Sequence, residues 1–301
     1  MTKRPPGPNG WIILDKPRGL GSTEAVGAVK RNLREAGFGK VKVGHGGTLD
    51  PLATGVLPIA LGEATKLCGR MLDATKAYAF TLAFGAETTT LDAEGEVVET
   101  SAARPTREAI KAVLPRFGGP IEQVPPAYSA LKVDGRRAYD LARAGEDVQL
   151  KTRLVTIHAL DITDLGGDSA TFLASVSKGT YIRSLARDIA HALGTVGHVT
   201  MLRRVKAGPF ALENAISLDK LNELGKGAPL EEIILPLEAG LDDIPALDLT
   251  PDAAGAVRQG RKLSGLPYPD GTYWGREGDA PVALIEVSDG EARVLRGFNL
   301  T

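Results

Sequence analysis

The segment best equipped for chemistry is a glycine-rich stretch over residues 44–55, which reads GHGGTLDPLATG. Glycine lets the backbone adopt shapes that other residues resist, and it lets a ligand approach closely. Asp50 is the acid of this stretch, and Pro51 fixes the backbone directly after it. A single aspartate in a loop is usually a turn former. This setting favours instead a carboxylate that is held rigidly at a surface, where it can act in catalysis.

Several other kinds of active site are excluded by the sequence. It contains no GxxxxGK phosphate-binding loop and no GxSxG nucleophile elbow. A dinucleotide fingerprint that starts at Gly19 fails because Glu24 stands where glycine is required. Cys68 is the only cysteine, which excludes an intrachain disulfide and a zinc-deaminase signature. The 4 histidines lack metal-ligand spacing. We therefore expect no zinc site.

The elements that must position Asp50 are predicted from periodicity and turn residues. Apolar or alternating runs predict strands at 11–14, 56–61, 77–84, 153–163, 170–177 and 201–206. Helical spacing predicts a helix capped by Ser22 and ended by Gly37, a helix over 63–72, a helix over 106–117 capped by Thr106, and a helix over 181–193 ended by Gly194. Residues 44–55 are predicted to be a loop. The fold class is therefore α+β, with strands dominating the core.

Two further segments have their own character. Residues 120–149 contain Pro125-Pro126, an Asp134-Gly135 turn and several basic side chains, which predict an exposed insertion with a hairpin or a short helix. After about residue 245, short apolar runs alternate with turn residues, and a strand hairpin is predicted near 282–295. We therefore predict a first domain over residues 1–244 and a small all-β domain over 245–301.

Charge is distributed unevenly along the chain, although the formal net charge is only −1. Residues 1–80 carry 12 basic and 6 acidic side chains, and residues 128–206 carry 12 and 8. Residues 207–301 carry 8 and 16. The two basic stretches could form one positive surface for a phosphate backbone, or they could be ordinary solvated helix faces. No apolar run suggests a secretory signal or a membrane span, and a single cysteine fits a reducing compartment, so we expect a cytoplasmic protein.

The loop at 44–55 closely resembles the signature loop of the TruB family, the bacterial tRNA pseudouridine-55 synthases. Further segments resemble the family's motifs in the same order: LDKP at 14–17, GEATK at 62–66, PAYSALK at 126–132, SKGTYIR at 177–183 and LRR at 202–204. Two positions depart from the common pattern. Gly46 stands where threonine is frequent, and Thr89 stands where aspartate is common.

The resemblance implies a fold, a reaction and a partner. The fold would be a pseudouridine synthase catalytic core on a mixed, mostly antiparallel sheet with flanking helices, followed by a PUA-like domain. The reaction would detach a uracil from its ribose in the T stem-loop of tRNA, turn it and rejoin it through carbon, without a cofactor. The target base would have to flip out of its stack. The family expectation is a monomer.

The resemblance also assigns roles to residues. Asp50 would be the essential carboxylate, and attack on the sugar, attack on the base and action as a general base all stay open. The other assignments are Arg183 as the partner of Asp50, Tyr78 as the active-site tyrosine, Tyr181 and Leu202 as the lining of the uracil pocket, His45 as the filler of the gap left by the flipped base, Lys16 as a support for the tyrosine or the RNA, and Lys132 as a phosphate contact in a mobile thumb over 120–149.

Two alternatives remain at this point. The chain could bind or fold tRNA without catalysis, although the presence of Asp50 and Arg183 favours an enzyme. It could also be a carboxylate-dependent hydrolase, which generally needs two facing carboxylates. Asp92 is a possible second acid, but the sequence does not place it near Asp50.

Overall fold

The structure is a computed structural model that describes residues 7–129, 131–133, 135–146, 148, 150–226 and 229–300. The strands are β1 (Gly10–Lys16), β2 (Val43–His45), β3 (Thr54–Leu61), β4 (Lys76–Phe84), β5 (Ala86–Thr88), β6 (Val97–Thr100), β7 (Gly119–Gln123), β8 (Lys132–Val133), β9 (Arg136–Arg137), β10 (Arg153–Leu165), β11 (Ser169–Val176), β12 (Gly197–Ala207), β13 (Phe210–Ala211), β14 (Ile216–Ser217), β15 (Ala246–Asp248), β16 (Gly271–Glu277), β17 (Ala280–Ser288) and β18 (Glu291–Gly297). The α-helices are α1 (Ser22–Glu35), α2 (Cys68–Asp73), α3 (Arg107–Val113), α4 (Ala138–Arg143), α5 (Ile182–Ala192), α6 (Leu218–Leu224) and α7 (Pro251–Arg258). The predicted α+β class is confirmed.

A large mixed sheet organises the first part of the chain. Within the described residues its strand order is β14-β1-β3-β12-β4-β11-β10-β7, with β13 beside β12 and β2 beside β3. The pairs β1–β14 and β3–β12 are parallel, and the other neighbours are antiparallel. This confirms the mixed, mostly antiparallel sheet. The strands β3, β12 and β4 lie side by side near its middle, which is where the candidate site lies.

One face of this sheet is covered by α1 and α5. The alternation in β4 places Phe80, Leu82 and Phe84 on the covered face, and Phe80 stacks on Phe172 of β11 with ring centroids 5.2 Å apart. From α5, Leu185 and its neighbours pack into the same cluster. Each fully buried side chain of this size contributes roughly 1.5–3 kcal/mol of apolar burial. The core therefore fixes β4, β12 and α5 relative to one another.

The second sheet has the order β15-β16-β17-β18 and confirms the predicted small C-terminal strand domain. The strands β17 and β18 form the hairpin that the sequence predicted. It turns at Asp289 and Gly290, which both have positive φ. Helix α7 packs on this sheet, with Ala254 and Val257 in its core, and was not predicted. Its start is capped by Thr250, whose side chain accepts a hydrogen bond from Ala253.

Of three predictions about where elements begin or end, two are corrected and one is confirmed. Ser22 is not the N-cap of α1, because Gly21 takes that position and donates its N–H to Glu24 at 2.7 Å. The predicted loop is shorter than 44–55, since β2 continues to His45 and β3 begins at Thr54. The cap at Thr106 is confirmed by a hydrogen bond from the Ala109 N–H to the threonine side chain at 3.2 Å.

The predicted insertion over 120–149 begins too early, because residues 120–123 belong to β7 of the large sheet and Gln123 is buried there. The described residues beyond it contain both forms that the sequence left open. Strands β8 and β9 form a two-stranded hairpin, and α4 follows directly. Lys132 lies exposed in β8, while Asp134 of the predicted turn lies outside the described residues. No α-helix in the described ranges is both long enough and apolar enough to span a membrane.

A turn of 3-10 helix over Gly62–Leu67 binds two distant segments of the chain. The N–H of Glu63 donates to the side chain of Asn9 at 2.8 Å, and the Glu63 carboxylate accepts from the N–H of Asn299 at 2.7 Å. Lys66 donates to the carbonyl of Gly297 at 2.8 Å. This turn therefore joins a segment before β1 to the segment that follows β18.

Candidate active site

The loop between β2 and β3 is held on both sides of Asp50. Ser22 exchanges two hydrogen bonds with the backbone of Leu49, accepting from its N–H at 2.8 Å and donating to its carbonyl at 2.9 Å. The N–H of Gly19 donates to the carbonyl of Pro51 at 2.8 Å. The backbone carbonyl of Asp50 accepts a hydrogen bond from the N–H of Ala53 at 3.0 Å. The backbone at Asp50 is therefore fixed before any ligand binds.

Arg183 contacts the Asp50 carboxylate from the first turn of α5. Its Nη2 donates to Asp50 Oδ2 at 2.9 Å and to the carbonyl of Tyr128 at 2.9 Å, while Nη1 donates to the carbonyl of Thr90 at 2.8 Å. The arginine side chain is 6% exposed and the aspartate side chain is 43% exposed. The pair thus presents an oriented carboxylate to solvent and keeps its cation buried.

Asp92 lies on the other side of the same guanidinium. Its Oδ2 is 3.3 Å from Arg183 Nη1, and its Oδ1 accepts from Thr90 at 2.5 Å and from the N–H of Glu94 at 3.0 Å. The Asp92 side chain is 4% exposed. Asp50 and Asp92 are therefore neighbours through Arg183, but only Asp50 is open to a substrate. The two facing carboxylates of a hydrolase are not formed.

A pocket of about 330 Å³ opens at Asp50. It is lined by five of the residues that the sequence predicted, which are Asp50, Tyr78, Tyr181, Arg183 and Leu202. Tyr78 comes from β4, Leu202 from β12, and Tyr181 immediately precedes α5. Three separate elements and one loop therefore bring the predicted residues together.

Tyr181 is held through its backbone by Gln123, the last residue of β7. The Gln123 side chain donates to the Tyr181 carbonyl at 3.1 Å and accepts from the Tyr181 N–H at 2.8 Å. The guanidinium of Arg153 lies 5.7 Å from the centre of the tyrosine ring. Burial raises the pKa of the Tyr181 hydroxyl, which keeps it protonated at neutral pH.

Three predicted residues lie outside the lining of the pocket. Lys16 is fully buried and donates to the carbonyls of Pro17 at 2.9 Å, Leu20 at 2.6 Å and Pro51 at 3.4 Å, so it holds the loop instead of facing a ligand. Burial lowers the pKa of Lys16 to about 8. His45 lies in β2, where burial lowers its pKa, and Lys132 lies exposed on the β8–β9 hairpin.

Lys76 and Arg204 line the pocket but were not assigned a role from the sequence. The Lys76 amine donates to the carbonyls of Met71 at 2.9 Å, Leu72 at 2.5 Å and Ala74 at 2.6 Å. Burial lowers the pKa of Lys76 to about 8. The sequence contains a signal that Lys76 is unusual. It lies two residues before Tyr78 and on the same face of the strand, and the other residues of that face are apolar or aromatic.

The described residues contain no group of three or more His, Cys, Asp or Glu side chains that could hold a metal ion. The chemistry on offer is instead that of a carboxylate beside a buried guanidinium, in a pocket with two tyrosines. An adjacent cation orients a carboxylate by charge-assisted hydrogen bonds and favours its ionised form.

Comparison with known proteins assigns this fold to a class. Residues 34–182 match the N-terminal domain of the TruB family of pseudouridylate synthases, and residues 183–242 match the C-terminal domain of tRNA pseudouridylate synthase B. Solved structures of the same fold include an H/ACA RNP bound to a substrate RNA containing 2′-deoxyuridine, at a TM-score of 0.72 and 26% identity over 96% of this chain and 85% of the other. The fold is that of a pseudouridine synthase.

Relatives cover nearly the whole chain. The tRNA pseudouridine synthase B of Novosphingobium aromaticivorans is 70% identical over 97% of this chain and 98% of its own length. That of Zymomonas mobilis is 62% identical over 97% of this chain and 96% of its own length. The chain therefore belongs to the TruB family. It is an enzyme that isomerises uridine to pseudouridine in tRNA.

Proposed function

We propose that the target is uridine 55 in the T stem-loop of tRNA and that Asp50 is the essential carboxylate. The N1–C1′ bond of the nucleotide breaks and a C5–C1′ bond forms. The hydrogen of C5 leaves as a proton, and N1 takes up a proton. The reaction is an isomerisation and uses no co-reactant.

The pairing of Asp50 with Arg183 at 2.9 Å carries this proposal. The carboxylate is open to the pocket, and the guanidinium that orients it is buried. Tyr78, Tyr181 and Leu202 supply aromatic and apolar surface on which a flat uracil can lie. Since the base must leave its stack to reach Asp50, such surface offsets part of the unstacking cost of roughly a few kcal/mol.

The insertion over 120–149 is proposed to close on the tRNA. Lys132, Arg136 and Arg143 are exposed on its hairpin and helix, where they can contact phosphates. His45 is proposed to fill the gap left by the flipped base, and Lys16 to keep the loop backbone in place. We further propose that the enzyme is a monomer and that it acts in the cytoplasm. Its single cysteine fits a reducing compartment.

Replacement of Asp50 by asparagine tests the catalytic assignment. The substrate is a tRNA transcript carrying C5-tritiated uridine, and the measurement is tritium release at saturating enzyme. Asp50→Asn keeps the shape of the side chain but removes its charge, so we expect tRNA binding to persist and release to fall by about 10³-fold or more. A second transcript with cytidine at position 55 carries the label only at its other uridines, and we expect no release above background from it if position 55 is the target.

Asp168→Asn is a matched control, because Asp168 is an exposed acid paired with Arg104 away from the pocket. Its release rate should equal that of the wild type. Normal release by Asp50→Asn would refute the role of Asp50. Free uracil that still carries its C5 tritium, with no tritium released to water, would point to hydrolysis instead of isomerisation.

A further inference from the structure

Arg204 is a buried cation to which the proposed reaction assigns no role. Its side chain is 1% exposed and is among the largest fully buried side chains of the protein. No carboxylate of the described chain lies within 4.0 Å of it. An unpaired buried charge is costly unless hydrogen bonds compensate it, so the partners of this guanidinium show what it does.

Three hydrogen bonds of the guanidinium go to the backbone that carries Asp50. Nη2 donates to the carbonyl of Gly47 at 3.1 Å, and Nη1 donates to the carbonyl of Thr48 at 3.3 Å. Nε donates to the carbonyl of Val56 at 2.7 Å. Two acceptors precede Asp50 and one follows it. One rigid group therefore spans the loop from its beginning to its end.

Two glycines of the loop lie beside Arg204, Gly55 against its backbone and Gly47 next to its guanidinium. A Cβ at Gly55 would lie 2.2 Å from the Arg204 carbonyl oxygen, and a Cβ at Gly47 would lie 3.5 Å from its Nη1. Both glycines have positive φ, of 100° and 133°. Arg204 is paired with Gly55 across the β12–β3 contact and with Tyr78 across the β12–β4 contact. The residue thus lies between the loop and the predicted active-site tyrosine.

We infer that Arg204 is a positioning residue, whose planar guanidinium sets the backbone between Gly47 and Val56 and thereby the place of Asp50. The inference rests on the proposed role of Asp50. Lysine cannot replace this function, because an ammonium donates from one point, whereas the guanidinium donates from three separate nitrogens to carbonyls on both sides of Asp50. A structural ion pair is not the explanation, since the partners are neutral carbonyls.

The charge of Arg204 also acts on its surroundings. Burial, aided by the positive charge of Arg204, lowers the pKa of Lys76 to about 8 and lowers the pKa of His45. The guanidinium also lines the pocket beside Lys76.

The experiment compares Arg204→Lys with the wild type in single-turnover kinetics and in tRNA binding. A displaced loop misplaces Asp50, and misplacement by about 1 Å costs about 100-fold in rate. We expect a loss of this order in the single-turnover rate, with a Kd for tRNA within about twofold of the wild type. Leu221→Ala is the control, because Leu221 is fully buried on α6 and does not line the pocket. It should lower the Tm and leave the rate unchanged well below the Tm.

Arg204→Ala provides a second readout, since it leaves room for a free guanidinium ion. Millimolar guanidinium should restore part of the lost rate in this variant and leave Arg204→Lys and Leu221→Ala unaffected. A wild-type rate in Arg204→Lys would overturn the inference, as would a loss of affinity as large as the loss of rate, or a folded Arg204→Ala that does not respond to guanidinium. Normal turnover by Asp50→Asn would instead refute the proposed function.

Discussion

At the scale of single residues, the site is organised around one buried arginine with two carboxylates. Arg183 holds Asp50 at 2.9 Å on its open side and Asp92 at 3.3 Å on its buried side. A buried carboxylate that loses its partner pays for desolvation without compensation. Arg183 is therefore expected to stabilise the fold through Asp92 and to orient the reactive group through Asp50, and these two contributions can be separated.

Replacing Arg183 with methionine should lower the free energy of unfolding by about 3–5 kcal/mol, because Asp92 is left buried and charged. Adding Asp92→Asn should recover a large part of that stability, since the asparagine oxygen still accepts from Thr90 and Glu94. Urea unfolding of both variants measures the difference. Turnover should stay low in both, because neither restores a cation beside Asp50. A double variant no more stable than Arg183→Met would contradict this account.

The sequence was sufficient to single out Asp50 as a candidate, because its glycine-rich surroundings and Pro51 mark it without any structure, and Asp50 lies in the pocket. It was not sufficient for Asp92 or Arg204. Asp92 is 42 positions from Asp50, and their proximity arises only because α5 delivers a guanidinium between them. Arg204 lies beside Arg203 in the sequence, yet Arg203 pairs with Asp15 while Arg204 is buried. Packing of β12 against β3 decides which arginine reaches the loop.

At the scale of elements, the junction of the loop with β3 has almost no freedom. Gly55 has φ of 100° and lies against the backbone of β12. Such a position excludes any side chain, both by conformation and by space. This tight junction keeps the end of the loop that carries Asp50 in register with β12, where Leu202 and Arg204 lie.

Alanine at Gly55 should therefore destabilise the protein and reduce turnover together. The backbone strain alone costs of order 1–3 kcal/mol, and the contact with the Arg204 carbonyl forces the strands apart. Gly69→Ala is the matched comparison, because Gly69 lies in α2, where an added Cβ would meet no atom of the described chain within 4 Å. It should raise the free energy of unfolding by about 0.5–1 kcal/mol. Thermal unfolding of the two alanine variants measures the difference in stability, and equal effects of both would contradict the prediction.

Helix starts show where local sequence rules are enough. Thr106 caps α3 as predicted, because its hydroxyl accepts from an N–H of the helix itself. Ser22 has the same capping ability, but its hydroxyl is taken by the backbone of Leu49, and Gly21 becomes the cap instead. The tertiary hydrogen bonds between Ser22 and the loop that carries Asp50 therefore outweigh the local preference of serine for the N-cap position.

At the scale of the whole molecule, the charge is divided between two basic stretches and an acidic C-terminal part. We propose that residues 1–244 and 245–301 are separate domains, with the second sheet beginning at Ala246. Residues 207–301 carry 16 acidic and 8 basic side chains. Because an acidic surface repels phosphate, the first domain is expected to supply most of the electrostatic attraction for tRNA.

Binding of tRNA should consequently weaken steeply as salt rises. If about five phosphates are neutralised, the slope of log affinity against log salt is about −4. Filter binding over a salt series measures it. Lys132→Ala should make the slope shallower by about one unit, while Lys262→Ala in the C-terminal domain should not change it. A flat response, or a larger effect of Lys262, would contradict the proposed placement of the RNA.

The turn over Gly62–Leu67 has a consequence for the mechanics of the chain. Through its backbone and its carboxylate, Glu63 is bonded both to Asn9 and to Asn299, which are 290 positions apart. The polypeptide is therefore nearly a ring, closed by one residue. A circular permutant with those two segments joined by a short linker would retain the same connections, and tension applied to one segment would pass directly to the other.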